Sequence, residues 1–243
     1  MLDALWWGMV GGSTLVVGAL VGSFFRLPQR VNATVMAGGA GVLIASVAYE
    51  LIGESAKSGT LGHTVVGMAL GSLAFFVGDL VVSRRGAGSR KMSSGSGRDD
   101  AASGTVLALG ALLDGVPESA AIGITLLHGG VPSLAFIAAV AISNVPEGLS
   151  SAVAMRRYGK GRGYILGVWA AIAIASGIAS AIGYGTMGHA SIGLQAVVLA
   201  FAAGAVLTML ASTMLPEAAE EGGPMIGLVV TAGFLTAVLL DRL

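Results

Sequence analysis

A soluble core can hide one or two apolar segments of twenty residues, but it cannot hide eight. Such runs recur here at residues 5–25, 31–52, 61–82, 105–127, 131–155, 164–187, 192–215 and 225–240, the last being the shortest. Crossing about 30 Å of hydrocarbon takes roughly 20 helical residues. No water is available there to satisfy an open backbone, so each run predicts a transmembrane helix. Runs of this length favour helices over a transmembrane barrel, whose strands alternate polar and apolar side chains over about ten residues. The first run is too long and lacks the basic start of a cleavable signal. The expected fold is an all-α integral membrane protein with eight transmembrane helices in a single domain, residues 1–243.

Composition agrees with this class. Hydrophobic residues make up 55% of the chain and charged residues 11%, against about 25% charged in an ordinary soluble domain. The 39 glycines suit helices whose backbones approach closely. Without cysteine, neither disulfides nor thiolate metal sites are available. Net charge is zero, and nothing points to a nucleic-acid partner. The expected surroundings are a lipid bilayer, and the glycine-rich helices would also permit a homodimer.

The distribution of basic residues predicts orientation. The connections after helices 1, 3 and 5 hold Arg26, Arg30, Arg84, Arg85, Arg90, Lys91, Arg98, Arg156, Arg157, Lys160 and Arg162, leaving only Lys57 and Arg242 for the other side. The positive-inside rule then puts these loops in the cytoplasm and both termini outside, in the plasma or inner membrane. Between helices 3 and 4, residues 83–103 carry glycine, serine and charge without an apolar core, which predicts a flexible cytoplasmic loop.

Against this background one stretch is anomalous. "ALLDGVPESAAIG" places Asp114, Pro117 and Glu118 inside helix 4, and the pattern returns 29 residues later as "AISNVPEGLSSAV", with Ser143, Asn144, Pro146 and Glu147 in helix 5. An ionised side chain at mid-membrane costs about 2.5 to 3.5 kcal/mol even on the lenient insertion scale, so something must compensate. Residues four apart share a helix face, which pairs Asp114 with Glu118 and Ser143 with Glu147. Each proline lacks an N–H and crowds the carbonyl four residues back, freeing the C=O groups of Leu113 and Ile142. Helices 4 and 5, joined by the short "HGGVP", are expected to pack side by side. Carboxylates, an amide, hydroxyls and loosened carbonyls would then converge as an oxygen-lined cation site.

Other polar residues carry weaker signals. Glu50, Glu54 and Asp79 lie toward helix ends and are expected to be solvated. His63, His128 and His189 sit near outward loops and read as surface histidines. In "LPEAAEEGG", Glu217, Glu220 and Glu221 are either a plain helix terminus or an acidic exit for a cation. An echo between "GGAGVLIASVAYELIGES" in helix 2 and "FAAGAVLTMLASTMLPEA" in helix 7 suggests an inverted repeat of helices 1–3 and 6–8 around helices 4–5.

These motifs resemble those of the ZIP (Zrt-, Irt-like) family of divalent metal transporters, whose helix 4 carries His-Asn-x-Pro-Glu-Gly and whose helix 5 carries a related Pro-Glu pattern. The resemblance extends over nearly the whole chain and implies a ZIP-like bundle with a mid-membrane metal site. It would make Asp114, Glu118, Asn144, Glu147 and Ser143 the metal-binding residues. Asp114 stands where the family has histidine, Gly115 where it has asparagine, and Ser176 where many members have a helix 6 glutamate. Every motif imidazole is thus replaced. The remaining oxygen set suits Mn²⁺ or Fe²⁺ as well as Zn²⁺, and the losses at Gly115 and Ser176 argue for one metal rather than two.

The expected function is transport of divalent metal cations toward the cytoplasm, with zinc implied by the resemblance as cargo and no resident cofactor. Two alternatives stay open: a metal-binding or regulatory protein of the same fold that does not transport, and a proton-coupled carrier of another solute. Enzyme activity is not expected, because no paired catalytic aspartates or Ser-His arrangement occur within the helices.

Overall fold

The computed structural model describes residues 1–25, 28–84, 102–127 and 134–240, excepting the side chains at 83, 84, 102–109, 111, 113, 114, 134, 135 and 157. Eight helices follow one another within these residues: α1 (Leu2–Phe24), α2 (Gln29–Ser58), α3 (Leu61–Arg84), α4 (Ala102–Thr125), α5 (Leu134–Arg157), α6 (Arg162–Met187), α7 (Ile192–Gly222) and α8 (Ile226–Leu240). No strand occurs among the described residues. Six of the helices, α1, α2, α3, α5, α6 and α7, are long and apolar enough to cross a membrane, and α8 is a shorter apolar helix. Large apolar side chains such as Leu2, Leu61, Leu73, Phe76, Leu228 and Leu239 point outward, as they must where lipid replaces water as the solvent. The protein is a membrane-embedded helical bundle.

Each apolar run of the sequence corresponds to one helix, although two helices outlast their runs. The second run stops at Ile52 and the seventh at Leu215, where charge begins, while the backbone continues helically to Ser58 and Gly222. A helix closes its hydrogen bonds within the backbone and does not need apolar side chains to continue. Both extensions begin at a π-helical turn, Val47–Ile52 in α2 and Leu210–Met214 in α7. Glu50 therefore lies in the interior of α2 rather than near its end. It is partly buried and engaged by a neighbour, and Glu54 is also partly buried. The expected loop at 83–103 lies outside the described residues except for its edges, where Ser83, Arg84, Ala102 and Ser103 are helical. Arg26, Arg85, Arg90, Lys91, Arg98, His128 and Arg242 also lie outside the described residues.

The helices pack in two groups. α1 runs along α5 and α6, with α4 against α6, while α7 packs against α3 and α2, with α8 against α2. Contacts of α2 with α5 and of α4 with α7 join the groups. The larger core, built on residues such as Leu43, Leu51, Ile122, Phe136, Leu199 and Leu210, spans that junction. A second core around Trp169 and Met155 fills the space between α1, α5 and α6.

Glycine decides where backbones touch. A methyl group on Gly41 would strike the Val230 carbonyl of α8, and one on Gly204 would strike the Met68 carbonyl of α3. Gly233 meets the Gly38 carbonyl, and Gly71 meets that of Phe201, in the same manner. At the two ends of the α2–α7 crossing, Gly59 abuts Ala196 and Gly222 abuts Ala33. The start of each helix thus lies against the end of the other, so α2 and α7 are antiparallel. One register on α2 and α7 pairs Gly38 with Phe201, Gly41 with Gly204 and Gly59 with Gly222, and a register one residue shorter on α3 and α8 pairs Met68 with Val230 and Gly71 with Gly233.

Candidate metal site

α4 and α5 each continue past their internal proline as 24-residue helices. A proline inside a helix forfeits a hydrogen bond and costs about 3 kcal/mol, so tertiary packing holds both turns in place. Glu118, directly after Pro117, is only 2% exposed. Glu147, directly after Pro146, is partly buried, and neither residue is without a partner. Ser143 and Asn144 are buried, and Ser143 Oγ donates to the Val140 carbonyl at 2.9 Å. Asp114 lies within α4, one turn before Glu118, and its side chain lies outside the described residues.

The helices do not meet as their short connection suggests. α4 and α5 touch only sparsely, and each makes its broad contact elsewhere, α4 with α6 and α5 with α1. The reason is again glycine. Gly11 lets α1 enter so closely that a methyl group there would have Ile122 of α4 at 3.4 Å and Val140 of α5 at 3.5 Å. These positions lie one turn after Glu118 and one turn before Asn144. The Asn144 side-chain amide donates to the Gly11 carbonyl at 3.1 Å. On the next residue, Gly12 faces Ser176 of α6, whose hydroxyl lies 3.8 Å from where a Gly115 methyl would sit. Gly39 of α2 approaches the Ser143 backbone in the same way.

The Gly11–Gly12 pair of α1 is therefore the point over which motif residues of both helices assemble. Asn144 reaches it directly, and Gly115 reaches it through Ser176. This role of α1 was not read from the sequence, although its signal is present in "WGMVGGSTL", where Gly8 and Gly12 form a small-xxx-small pair.

The arrangement offers oxygen donors in an apolar setting: a buried carboxylate at Glu118, a second at Glu147, and the Ser143, Ser176 and Asn144 side chains. Oxygen donors of these kinds suit hard or borderline divalent cations. Among the described residues, no three His, Cys, Asp or Glu side chains cluster tightly enough to hold a metal by themselves. Any ion here would draw on amide, hydroxyl or backbone oxygen, or on Asp114.

His63 lies at the start of α3, where its Nδ1 accepts from the Thr60 N–H at 3.1 Å and its ring borders Gly193. It closes the turn between α2 and α3 against the first turn of α7. Glu217 and Glu221, near the end of α7, are partly buried and engaged by neighbours, whereas Glu220 is exposed. Compared with protein-family models and with curated proteins, the chain matches none.

Proposed function

We propose that the protein transports divalent metal cations across a membrane, using an oxygen-donor site on α4 and α5. The observation that carries this reading is the burial of Glu118, a carboxylate 2% exposed beside a helix-interior proline, with a second Pro-Glu pair on α5. An intramembrane acid held at such cost marks an ion or proton pathway by default. Asp114, Glu118 and Glu147 act as carboxylate ligands in this reading. Asn144 supplies an amide oxygen while its nitrogen is tied to Gly11, and Ser143 contributes weakly or through water.

The shared register of the α2–α8 and α7–α3 contacts supports an inverted repeat of α1–α3 and α6–α8 around α4 and α5. All eight helices cross the membrane in this scheme, and the basic connections keep both termini outside the cytoplasm. Two antiparallel halves around a central site form a frame suited to alternating access. The direction of transport is toward the cytoplasm, and zinc is the first candidate because the motifs resemble those of ZIP transporters.

The test is uptake of radioactive Zn²⁺, Mn²⁺ and Fe²⁺ into proteoliposomes. The wild-type chain should give saturable uptake, lost in Glu118→Ala and Glu147→Ala variants that remain monodisperse. Metal binding without flux would instead identify a binding or regulatory protein. Flux driven by a proton gradient and indifferent to divalent metals would identify a carrier of another solute.

A further inference from the structure

A π-helical turn holds one residue more than the α-helical ladder requires and recurs at functional positions. Here two such turns occupy matching places. The register that pairs Gly38 with Phe201 and Gly41 with Gly204 carries Val47, the first residue of the turn in α2, onto Leu210, the first residue of the turn in α7. We propose that these turns are a matched pair of hinges, at which the terminal segments Gly53–Ser58 of α2 and Leu215–Gly222 of α7 rotate against the rest of the bundle.

Each turn has a local chemical cause. The Gly53 N–H donates to the Ala48 carbonyl, five residues back, and the Leu215 N–H donates likewise to Leu210. The same register carries Gly53 onto Pro216. Glycine loses more backbone freedom in a helix than any other residue, and proline has no N–H to continue the ladder. Two different helix-weakening residues thus stand at one structural position.

Beyond each turn the helix end is held by small groups. Ser55 lies fully buried, its hydroxyl 2.9 Å from the Ala196 carbonyl and 2.9 Å from the Thr64 hydroxyl. Its counterpart in the register is Ala218, also fully buried, near the Gly222–Ala33 contact. Little apolar area is lost when such contacts part, although the Ser55 hydroxyl must then find new partners. Absorbing the extra residue into the α ladder would turn everything beyond it by about 100° and shift it by about 1.5 Å. Ser46, immediately before the turn in α2, keeps a buried hydroxyl with no hydrogen-bond partner. The segments that would move carry Glu54 on α2 and Glu217 and Glu221 on α7, at opposite ends of the α2–α7 pair.

Because the chain contains no cysteine, single thiols report motion cleanly. Ser55→Cys and Ala218→Cys, with Ala203→Cys as a fully buried reference on α7, would be reacted with a small water-soluble maleimide in lipid nanodiscs. The thiols at 55 and 218 should react on the order of tenfold faster than the one at 203, through local opening. Removing the neighbouring π turn, by deleting Ala48 for position 55 or Ala211 for position 218, should bring each rate down to the reference. Where a deletion lowers the melting temperature, its rate is read at the same interval below its own melting temperature as the parent's, so that lost stability is not mistaken for local opening. Rates equal to the reference, or fast rates that survive loss of the π turn, overturn the proposal. No metal is present in this assay, so its failure leaves the transport reading untouched, and a chain that carries no metal can still pass it.

Discussion

Asn144 of α5 and Gly11 of α1 are joined by a side-chain hydrogen bond of 3.1 Å to a backbone carbonyl. In an apolar interior this bond orients the amide so that its nitrogen is committed to the helix contact. Asn144→Ala should lower stability by about 1 kcal/mol, equivalent to a fall of about 2–4 °C in melting temperature for a chain of this size. Asn144→Asp should fall further in metal-free buffer, because a carboxylate oxygen would then face the Gly11 carbonyl with no donor between them. A melting temperature for the aspartate variant at or above that of the alanine variant would contradict the assignment.

Gly12 and Gly115 both lie near Ser176 but differ in the room around them. A methyl group at Gly12 would sit 2.9 Å from the Ser176 Cβ, whereas at Gly115 the nearest atom is 3.8 Å away. Gly12→Ala should therefore cost about 1–3 kcal/mol by overpacking, while Gly115→Ala should leave stability unchanged or improve it slightly. Thermal unfolding in detergent separates the two.

The same reasoning distinguishes glycines that join helices from those that only occupy them. Gly41→Ala and Gly204→Ala each force a methyl group onto a neighbouring carbonyl and should destabilise by about 1–3 kcal/mol. Gly167, within α6, has no atom near its missing side chain, and Gly167→Ala should gain about 0.5–1 kcal/mol through helix propensity. Equal melting temperatures across the three variants would remove the close-packing account.

The oxygen-rich donor set carries an expectation about ion choice. Without imidazole, Zn²⁺ should hold only a small advantage over Mn²⁺ in competitive uptake, and Asp114→His should shift the preference toward Zn²⁺. A wild-type chain that strongly excludes Mn²⁺ would speak against a carboxylate-dominated site.

Much of the architecture was legible because lipid imposes one rule on every segment. The eight apolar runs each correspond to a helix, and Pro117 and Pro146 lie inside theirs. What escaped the sequence were features that depend on which backbones touch. Charge at Glu54 and Glu217 looked like the end of a helix, yet α2 and α7 continue, since their ladders are blind to side-chain polarity. A short connection suggested that α4 and α5 pack face to face, yet the glycines of α1 let a third helix come between them. The burial of Glu118, Ser143 and Asn144 followed from their setting, but the Asn144–Gly11 bond did not. Nothing about an asparagine in one apolar run names the carbonyl it will meet in another.

The paired glycine contacts have a practical consequence for genetics. Most lesions in a membrane protein must be judged against an unrelated control, but the proposed repeat would give many of them a counterpart in the same molecule. Gly41 answers to Gly204, Gly59 to Gly222 and Ser55 to Ala218. A substitution that damages folding should hurt in both places alike, whereas one that damages a single stage of a working cycle should not. Differences between such twins would reveal where the two halves have taken on separate duties.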